Sequence, residues 1–496
     1  MSYADAWSRE PWEVLRPSTA SHRFLFAGDS GQAEDIDPTT QAYVAVVPQS
    51  SAADVASAVD AARMAFAGRG WRNDGARRAR VLSGFAQGLR ESTERLSVIL
   101  TREQGKTIGE ARSEISGSAD MVEYYAGCAR TLYGRAMALG DDAHGVILAE
   151  PVGVVGIITP WNWPLTLLVR SLAPALAAGN ACVVKPASLT PMIVLEALNI
   201  LASQPELPPG VLSCVLGPGP VVGDALVASP GVDMIAFTGE STTGISVMQH
   251  AAKDLRKVAL ELGGKSPNIV FADANLDKAL DGAMNAIFTT AGQICTAGSR
   301  LLVEERIYDQ FVESLAARVT SLRLGDPLDP SSSMGPLVSR TQKRIVEEFI
   351  DIGRKEGEVI ASAAVPGDMS LESGFFVSPT VFAGLSGESR LVREEIFGPV
   401  LVVDSFDSEQ EAIAKAEDTE FGLAAGVWTS DLDRAWRVGR SLRSGTVWIN
   451  TYHHFYPEAE VGGFRRSGLG RQQGLEGLYE FTETKHLNFD TGESLW

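Results

Sequence analysis

The sequence predicts an α/β fold with parallel β-sheets in two sub-domains. From residue 145 onward, short apolar runs alternate with helical segments at close spacing, which is typical of βαβ units. The alternation begins again after Leu262-Gly263-Gly264, where a glycine pair suits a hinge or a tight crossing. The 49 glycines, many of them beside apolar runs, suit tight turns between strands and helices. A length of 496 residues also favours two or three sub-domains over a single core.

The residues before 145 predict mostly helices. Residues 1–50 are rich in turn formers and include a strand-like run at 42–47. The segment 51–55 has the sequence of a helix start, and the alanine-rich helix that follows extends to about residue 67. Residues 75–136 are charged, poor in proline and helical in period, which predicts two or three long helices.

The segment from 145 to 303 supplies the alternating elements of the two sub-domains. Two strands are expected on either side of Pro151. The other strands are expected at 181–185, 212–216, 234–238, 257–260, 266–271 and 300–303. The helices between them are expected at 165–178, 191–203, 220–228 and 276–290.

Composition excludes several classes of protein. With 45% apolar and 21% charged residues, the chain is not intrinsically disordered. A net charge of −19 argues against a nucleic-acid partner. Four cysteines cannot form a disulfide framework, and six histidines without an HExxH motif predict no metal site of familiar type. No signal peptide and no apolar run of about 20 residues is present, so we expect a cytoplasmic protein with no membrane partner.

Two motifs contain candidate catalytic groups. Cys295 lies between glycines in the segment 292–298, where a turn could expose a nucleophilic thiol; the alternative is a small buried apolar residue. Glu261 ends an apolar stretch before a Gly-Gly turn. It is either a general base with a raised pKa or a carboxylate paired with Lys265.

Two further motifs follow predicted strands. Asn162, within the segment 159–164, is placed where ligands bind in open α/β sheets and could donate to an oxyanion. Alternatively, it forms an Asx turn or a helix N-cap between two prolines. The segment 237–244 runs from a strand through a Gly-x4-Gly turn into a helix whose N-terminus could bind phosphate. It is neither a GxGxxG fingerprint nor a P-loop.

Together these motifs resemble those of the aldehyde dehydrogenase superfamily, in the expected order and over nearly the whole chain. The matching pieces also include 185–187, 394–400, 462–464 and 467–468. The resemblance implies a Rossmann-like dinucleotide-binding domain formed by residues 1–127 and 150–261. It also implies a catalytic domain at 262–464 and a small β oligomerisation extension formed by 128–149 and 477–496. Because an exposed strand edge is normally covered by another chain, we expect a homodimer or homotetramer.

The implied activity is oxidation of an aldehyde to a carboxylic acid with NAD+ or NADP+. By resemblance, the Cys295 thiolate attacks the aldehyde carbon and forms a thiohemiacetal. The Asn162 side chain and the backbone N–H of Cys295 hold the oxyanion. After hydride transfer, Glu261 activates a water molecule that hydrolyses the thioester.

The implied cofactor site draws on both sub-domains. In the family, Lys185 and Glu395 contact the riboses, Phe397 flanks the nicotinamide, and the turn from Thr238 lies against the pyrophosphate. The full expected set of cofactor-binding residues is Ile158, Trp161, Lys185, Ser188, Gly219, Gly223, Phe237, Thr238, Gly239, Glu240, Leu262, Glu395 and Phe397.

Two of these positions depart from the common pattern. Glu240 replaces a serine, and its carboxylate would repel a pyrophosphate unless it turned away. Ser188 stands where many NAD-preferring members have a glutamate, which leaves room for the 2′-phosphate of NADP+. We expect NAD+ or dual use.

Five positions match those that line the substrate tunnel in relatives: Trp163, Leu167, Arg170, Phe455 and Val461. Arg170 is found there in succinate-semialdehyde dehydrogenases and could bind a carboxylate; alternatively, it pairs with a nearby acid. The expected substrate is an anionic semialdehyde or an aromatic or apolar aldehyde. Arg170 and Val461 replace aromatic residues that surround the ammonium group in betaine-aldehyde dehydrogenases, which argues against that substrate.

Two alternative functions are distinguished by the same motifs. A CoA-acylating semialdehyde dehydrogenase would resolve the thioester with CoA, and the branch best known for this chemistry lacks the glutamate found at 261. A non-enzymatic, structural use of the fold would not require the intact set of Cys295, Glu261, Asn162 and Lys185.

Overall fold

The structure is a computed structural model that describes residues 25–27 and 31–492. The expected first domain and the expected extension reach beyond this range, so 1–24, 28–30 and 493–496 lie outside the described residues. The strands are β1 (Leu25–Ala27), β2 (Gln32–Ile36), β3 (Tyr43–Pro48), β4 (Arg135–Ala138), β5 (Ala143–Pro151), β6 (Val154–Ile158), β7 (Ala181–Lys185), β8 (Leu212–Val215), β9 (Met234–Thr238), β10 (Lys257–Glu261), β11 (Pro267–Val270), β12 (Arg300–Glu304), β13 (Glu358–Ser362), β14 (Thr380–Ala383), β15 (Val400–Phe406), β16 (Ala424–Trp428), β17 (Thr446–Ile449), β18 (Gly468–Leu469) and β19 (Thr482–Asp490).

The α-helices connect these strands and cover the sheets. They are α1 (Ala52–Ala67), α2 (Arg69–Arg72), α3 (Gly75–Glu91), α4 (Thr93–Gln104), α5 (Ile108–Cys128), α6 (Pro164–Ala178), α7 (Pro191–Ala202), α8 (Asp224–Ala228), α9 (Ser241–Ala252), α10 (Leu276–Phe288), α11 (Tyr308–Thr320), α12 (Arg340–Glu356), α13 (Arg390–Arg393), α14 (Glu409–Glu417), α15 (Leu432–Ser441) and α16 (Gly474–Tyr479). Among the described residues, no helix is both long and apolar enough to cross a membrane.

The first large sheet has the strand order β1-β8-β7-β6-β9-β10-β18 and is parallel except for β18. Alternate residues of its strands enter two separate cores. Val155 packs with α3, α5, α6 and α7 on one face, whereas Val154 packs with α1, α8 and α9 on the other. The central strands are buried on both faces, which explains their nearly continuous apolar sequences.

The second large sheet has the order β13-β14-β15-β12-β11-β16-β17 and is parallel except for the β13–β14 pair. Its two faces are also covered: Leu301 packs with α10 and α11, and Leu302 packs with α14 and α15. A three-stranded antiparallel sheet, β19-β5-β4, and the hairpin β2-β3 complete the β-structure of the described residues.

The α/β class with parallel sheets is confirmed, and the differences are local. Residues 219–223 form a π turn before α8, so the helix expected at 220–228 is short. The last of the long helices ends at Cys128, although the helical period was expected to continue to 136. Strand β4 at 135–138 lies in the segment 128–149 that the resemblance assigned to the β extension. The expected division at 262–264 falls between β10 of the first sheet and β11 of the second. Strand β18 returns to the first sheet and pairs with β10. The sequence did not predict this strand, because it is only two residues long.

Candidate active site

A cavity of about 600 Å³ lies beside the carboxyl end of β10. The three expected catalytic residues and the five expected tunnel residues all border it: Cys295, Glu261, Asn162, Trp163, Leu167, Arg170, Phe455 and Val461. Residues far apart in the sequence therefore meet in one place, at the edge where the parallel strands of the first sheet end.

Cys295 is presented by a strained turn, residues 289–295, which we call the cysteine loop. Thr290 and Ala291 have φ angles of 51° and 52°, and Gly292 follows with 74°. These left-handed conformations are unfavourable for residues with a side chain and stop α10 abruptly. A side chain at Gly292 would overlap the carbonyl of Gly398, so glycine is required there.

The thiol of Cys295 is partly exposed, whereas Cys128, Cys182 and Cys214 are buried. Burial raises the pKa of Cys295 to about 11, and the positive charge of Arg170 opposes that rise. The thiolate that a nucleophile requires is therefore favoured by one specific cation in the cavity.

Asn162 lies in the segment 159–163 between β6 and α6, which we call the asparagine loop. Its Nδ2 donates to the main-chain oxygen of Gln293 at 2.9 Å, so the amide is attached directly to the cysteine loop. Trp163, not Asn162, is the N-cap of α6. The Asn162 amide has a second N–H in addition to the one bound by Gln293, and this can serve an oxyanion.

Glu261 is the last residue of β10 and is 4% exposed. Its Oε2 is 3.9 Å from Nη2 of Arg170, and its Oε1 has no hydrogen-bond partner among the described residues. Burial raises the pKa of Glu261 to about 7, and Arg170 and Arg471 oppose that rise. The alternative pairing with Lys265 does not occur, because the ion partner is Arg170.

Arg170, on α6, is 8% exposed and borders the cavity. Within residues 31–492, neither Nε nor Nη2 has a hydrogen-bond partner. Both expected roles for this arginine remain open: Glu261 is a nearby acid, and the unused donors could bind an anionic ligand.

One part of the cavity wall is aromatic. Phe455 lies edge-on to Trp448, with ring centroids 5.2 Å apart. His453, on the same segment, also borders the cavity in a left-handed conformation with φ 59°. Burial lowers the pKa of His453 to about 4, so its ring is neutral at physiological pH. His454 also lines the cavity.

The expected cofactor residues of the first sheet lie side by side at its carboxyl edge. Ile158 is opposite Lys185 on one side and Phe237 on the other, and Thr238 is opposite Glu261. This edge is where dinucleotides bind in doubly wound sheets.

Lys185 is buried, and its Nζ donates to the carbonyl of Pro186 at 2.9 Å. Burial lowers the pKa of Lys185 to about 8. A Cβ added at Gly223 would lie 3.7 Å from the Lys185 side chain, whereas Gly219 faces open space. The Ser188 hydroxyl donates to the carbonyl of Gly217 at 3.1 Å.

Helix α9 begins at this edge with Glu240 as its N-cap. The Glu240 carboxylate is exposed and accepts from the Thr242 hydroxyl at 2.7 Å, so it makes no cap to the backbone of α9. The first N–H groups of the helix are thus open to an anion. Gly239 packs on the Phe237 ring, and Gly244 packs on Leu262, so side chains at these glycines would overlap their neighbours.

A loop of the second sub-domain reaches the same edge. Glu395 Oε1 accepts from the backbone N–H of Gly264 at 3.1 Å, and burial raises the pKa of Glu395 to about 7. Phe397, with a left-handed φ of 57°, lies edge-on to Trp161 at 5.2 Å between centroids. Open helix N–H groups, a buried lysine and a cleft edged by glycines form a site that fits a dinucleotide.

The family model described as the aldehyde dehydrogenase family matches residues 26–487 of this chain. The chain belongs to the aldehyde dehydrogenase family. Betaine aldehyde dehydrogenase of Bacillus subtilis (strain 168) is 42% identical over 459 residues, covering 92% of this chain and 94% of the relative. Acetaldehyde dehydrogenase 2 of Cupriavidus necator is 41% identical over 465 residues, covering 92% and 90%.

Solved structures of aldehyde dehydrogenases share the fold. Betaine aldehyde dehydrogenase of Staphylococcus aureus, crystallised in complex with NAD+, superposes with a TM-score of 0.92 at 36% identity. The match covers 95% of this chain and 94% of that one. An aldehyde dehydrogenase of Bacillus cereus, in a mutant form, gives a TM-score of 0.91 at 38% identity, with 95% of each chain covered.

Sequence reasoning missed three charged residues next to the catalytic groups of this family member, of which Lys106 and Glu114 are buried. Lys106, Glu110 and Glu114 contact the asparagine loop, the cysteine loop or the start of α6. The only sequence signal was the spacing of the two glutamates, four residues apart on one predicted helix. In the described part of the chain, no cluster of His, Cys, Asp and Glu is placed to hold a metal ion.

Proposed function

We propose that this chain oxidises an aldehyde to the carboxylic acid with NAD+ or NADP+ through a thioester on Cys295. The observation that carries the proposal is that Cys295, Asn162 and Glu261 border one cavity at the dinucleotide edge of the first sheet. A nucleophile, an oxyanion donor and a buried base are the groups that this reaction requires.

The first step needs the Cys295 thiolate. Burial disfavours that anion, and the Arg170 guanidinium favours it. When the sulfur attacks the aldehyde carbon, the negative charge moves to the aldehyde oxygen. The free N–H of the Asn162 amide and the backbone N–H of Cys295 would hold that oxyanion, already oriented by the bond from Asn162 to Gln293.

The dinucleotide, when bound, accepts the hydride that the thiohemiacetal carbon must lose to become a thioester. The residues proposed to hold it are the thirteen named from sequence. Lys185 and Glu395 would bind the riboses, the start of α9 the pyrophosphate, and Phe397 the nicotinamide. Glu240 turns to Thr242 and is exposed, which removes much of its expected repulsion of the pyrophosphate. Ser188 supports use of either dinucleotide.

Glu261 would complete the cycle by activating the water that hydrolyses the thioester. Its unused Oε1 and its raised pKa, about 7, suit a general base at neutral pH. A buried carboxylate in the cavity favours water over CoA as the acceptor of the acyl group.

The substrate class that we propose first is an anionic semialdehyde. Arg170 borders the cavity, and its two donors without a hydrogen-bond partner among the described residues could bind a second carboxylate of the substrate. The aromatic wall formed by Trp163 and Phe455 supports an aromatic or apolar aldehyde as the second candidate. A buried guanidinium would repel the ammonium group of betaine aldehyde, in spite of the similarity to betaine aldehyde dehydrogenases.

An aldehyde panel tests this proposal, with reduced dinucleotide measured by absorbance for both cofactors. The panel contains succinic semialdehyde, benzaldehyde, hexanal and betaine aldehyde, each with the wild type and with Arg170→Met. We expect succinic semialdehyde to be preferred and its KM to rise about 10-fold or more in the variant, because a charged hydrogen-bonded pair is lost. An unchanged KM together with a preference for hexanal or benzaldehyde would favour the second candidate.

The domain boundaries, the oligomerisation role of the β19-β5-β4 sheet and a cytoplasmic location also stay proposals. Strand β19 is paired on one side with β5 and has a free edge among the described residues, which supports association into a homodimer or homotetramer. Sedimentation equilibrium of the full chain would measure that state.

A further inference from the structure

Helix α5 forms one wall of the cavity and places two glutamates, Glu110 and Glu114, on the face that borders it. Four residues apart, they are neighbours on one side of the helix. Glu110 reaches the cysteine loop and Glu114 reaches the first turn of α6, and these two segments belong to different sub-domains.

Glu114 contacts the start of α6 and a buried lysine. Its Oε1 accepts from the backbone N–H of Leu165 at 2.9 Å and of Thr166 at 3.2 Å, in the first turn of the helix that follows the asparagine loop. Its Oε2 accepts from Nζ of Lys106 at 2.6 Å, and neither side chain has any exposed surface.

Lys106, which is bound to Glu114, contacts the asparagine loop itself. Its Nζ donates to the carbonyl of Asn162 at 2.9 Å and lies 3.8 Å from the centroid of the Trp163 ring. One ammonium group therefore fixes the peptide that follows the proposed oxyanion donor and the next side chain, which lines the cavity.

Glu110 supports the cysteine loop. Its Oε1 accepts from the backbone N–H of Thr290 at 2.5 Å, at one of the left-handed residues before Cys295. Its Oε2 accepts from the N–H and the hydroxyl of Thr107 at 2.8 and 2.9 Å, so the carboxylate is held at both oxygens.

We propose that Lys106, Glu110 and Glu114 are positioning residues for the reaction. Through α5 they hold the asparagine loop and the cysteine loop in one register, so that the Asn162 amide meets the sulfur at the correct distance. A fully buried ion pair is weak evidence for stability alone, because desolvation offsets its attraction. The pair's bonds to the carbonyl of Asn162 and to the N–H of Leu165, just after it in the chain, give it a geometric role.

A double-mutant cycle between Lys106 and Asn162 tests this inference. Lys106→Met is expected to lower kcat about 10- to 100-fold, because a small misplacement of an oxyanion donor is that damaging. The KM for the dinucleotide should change less than about twofold, since the cofactor edge is untouched. In an Asn162→Ala background, Lys106→Met should lower kcat less than about twofold further, because Lys106 acts through a group no longer present.

Arg112→Met is the matched control. Arg112 is on the same helix and pairs with Glu94 at 2.8 Å, but both side chains are exposed. The kcat of the Arg112→Met enzyme should equal that of the wild type. If Lys106→Met folds poorly, Glu114→Gln repeats the cycle, because glutamine keeps the shape and an acceptor oxygen but loses the charge that holds Lys106.

The outcomes separate this inference from the proposed function on which it rests. An Asn162→Ala enzyme with full activity would contradict the oxyanion assignment itself. A different result would overturn the positioning role. If Asn162→Ala lowers kcat, and Lys106→Met or Glu114→Gln then lowers it further by the same factor as in the wild type, the residue acts independently of Asn162 and is merely structural.

The support of the cysteine loop has a separate readout. In Glu110→Gln, the side-chain amide can keep its oxygen toward Thr107 but must place an NH₂ against the Thr290 N–H. We expect the rate of alkylation of Cys295 by iodoacetamide, without substrate, to change severalfold relative to Arg112→Met. The other three cysteines are buried and do not obscure this signal. An unchanged rate would overturn the role of Glu110.

Discussion

Nη2 of Arg170 lies 3.9 Å from Oε2 of Glu261, and both side chains are more than nine-tenths buried. No hydrogen bond joins them, so the interaction is one of charge at close range in a site of low dielectric constant. The same guanidinium favours the Cys295 thiolate. One cation thus favours the ionised forms of both the proposed nucleophile and the proposed base, against the effect of burial.

Removing that cation is expected to move the pH dependence of turnover. Glu261 must be ionised to accept a proton, so kcat should rise with pH through a midpoint near 7, the value to which burial raises the pKa of this carboxyl. Arg170 opposes the rise, so in Arg170→Met the midpoint should move to higher pH, by about 1 unit or more. Arg170→Lys, which keeps a charge, should move it less.

The measurement is kcat against pH with hexanal as the substrate. Hexanal has no carboxylate, so its binding does not depend on an ion pair with Arg170. A midpoint that stays in place in Arg170→Met would contradict the coupling between these two residues. It would leave substrate binding and support of the Cys295 thiolate as the roles of the guanidinium.

Glu261→Gln should separate the two halves of the reaction. The amide cannot accept a proton from water, but it leaves the thiol and the oxyanion donor intact. We expect a burst of about one reduced dinucleotide per active site, followed by steady turnover lowered about 100-fold or more. Rapid-mixing absorbance measures both phases, and Cys295→Ala, which should show no burst, is the control. Full steady turnover in Glu261→Gln would show that another group is the base.

Much of the fold was predictable because its strands are buried on both faces. Continuous apolar runs such as 154–158 and 181–185 identify parallel strands without any alternation pattern. Strand β18 could not be found in this way, since two residues carry no period. Nor could the π turn at 219–223, because its sequence, between Pro218 and Asp224, equally suits the start of an α-helix.

The catalytic residues were predictable from local motifs, whereas their partners were not. Cys295 and Asn162 lie in loops at the end of an element, and Glu261 is the last residue of a strand before a Gly-Gly turn. The partner of Glu261 is Arg170, on a helix that precedes Glu261 by three strands of the sequence, and only the fold brings the two side chains together. Lys106 has no motif at all, and its role depends on burial that the sequence does not reveal.

Ser188 provides a test of dinucleotide choice. The residue is exposed at the cofactor edge, and its hydroxyl is bound to the Gly217 carbonyl. In Ser188→Glu a carboxylate would repel the 2′-phosphate of NADP+ while accepting from the 2′-hydroxyl of NAD+. The KM for NADP+ should rise about 10-fold or more, with that for NAD+ equal or lower. Ser188→Gln, which is neutral, is the control. An equal rise of the KM for both dinucleotides in Ser188→Glu would place residue 188 away from the ribose.

A buried carboxyl pair far from the cavity gives a prediction about stability. Asp35 on β2 is 3% exposed and interacts with Glu103, which is fully buried on α4 and accepts from the N–H of Ile193 at 3.0 Å. Burial raises the pKa of Asp35 from its ordinary 3.8 to about 7, and burial together with Asp35 raises that of Glu103.

For an acid whose pKa is higher in the folded state, the folded chain binds more protons than the unfolded one. Stability from this source is complete below the unfolded pKa and is lost as pH rises from about 4 to about 7. Asp35→Asn removes that loss, because an amide does not ionise. The wild type should therefore lose at least about 1 kcal/mol more of its free energy of unfolding between pH 5 and pH 8 than Asp35→Asn does. Urea unfolding at the two pH values measures the difference. Equal losses in both proteins would mean that Asp35 is already ionised in the folded state at pH 5, with its charge balanced by a group other than Glu103.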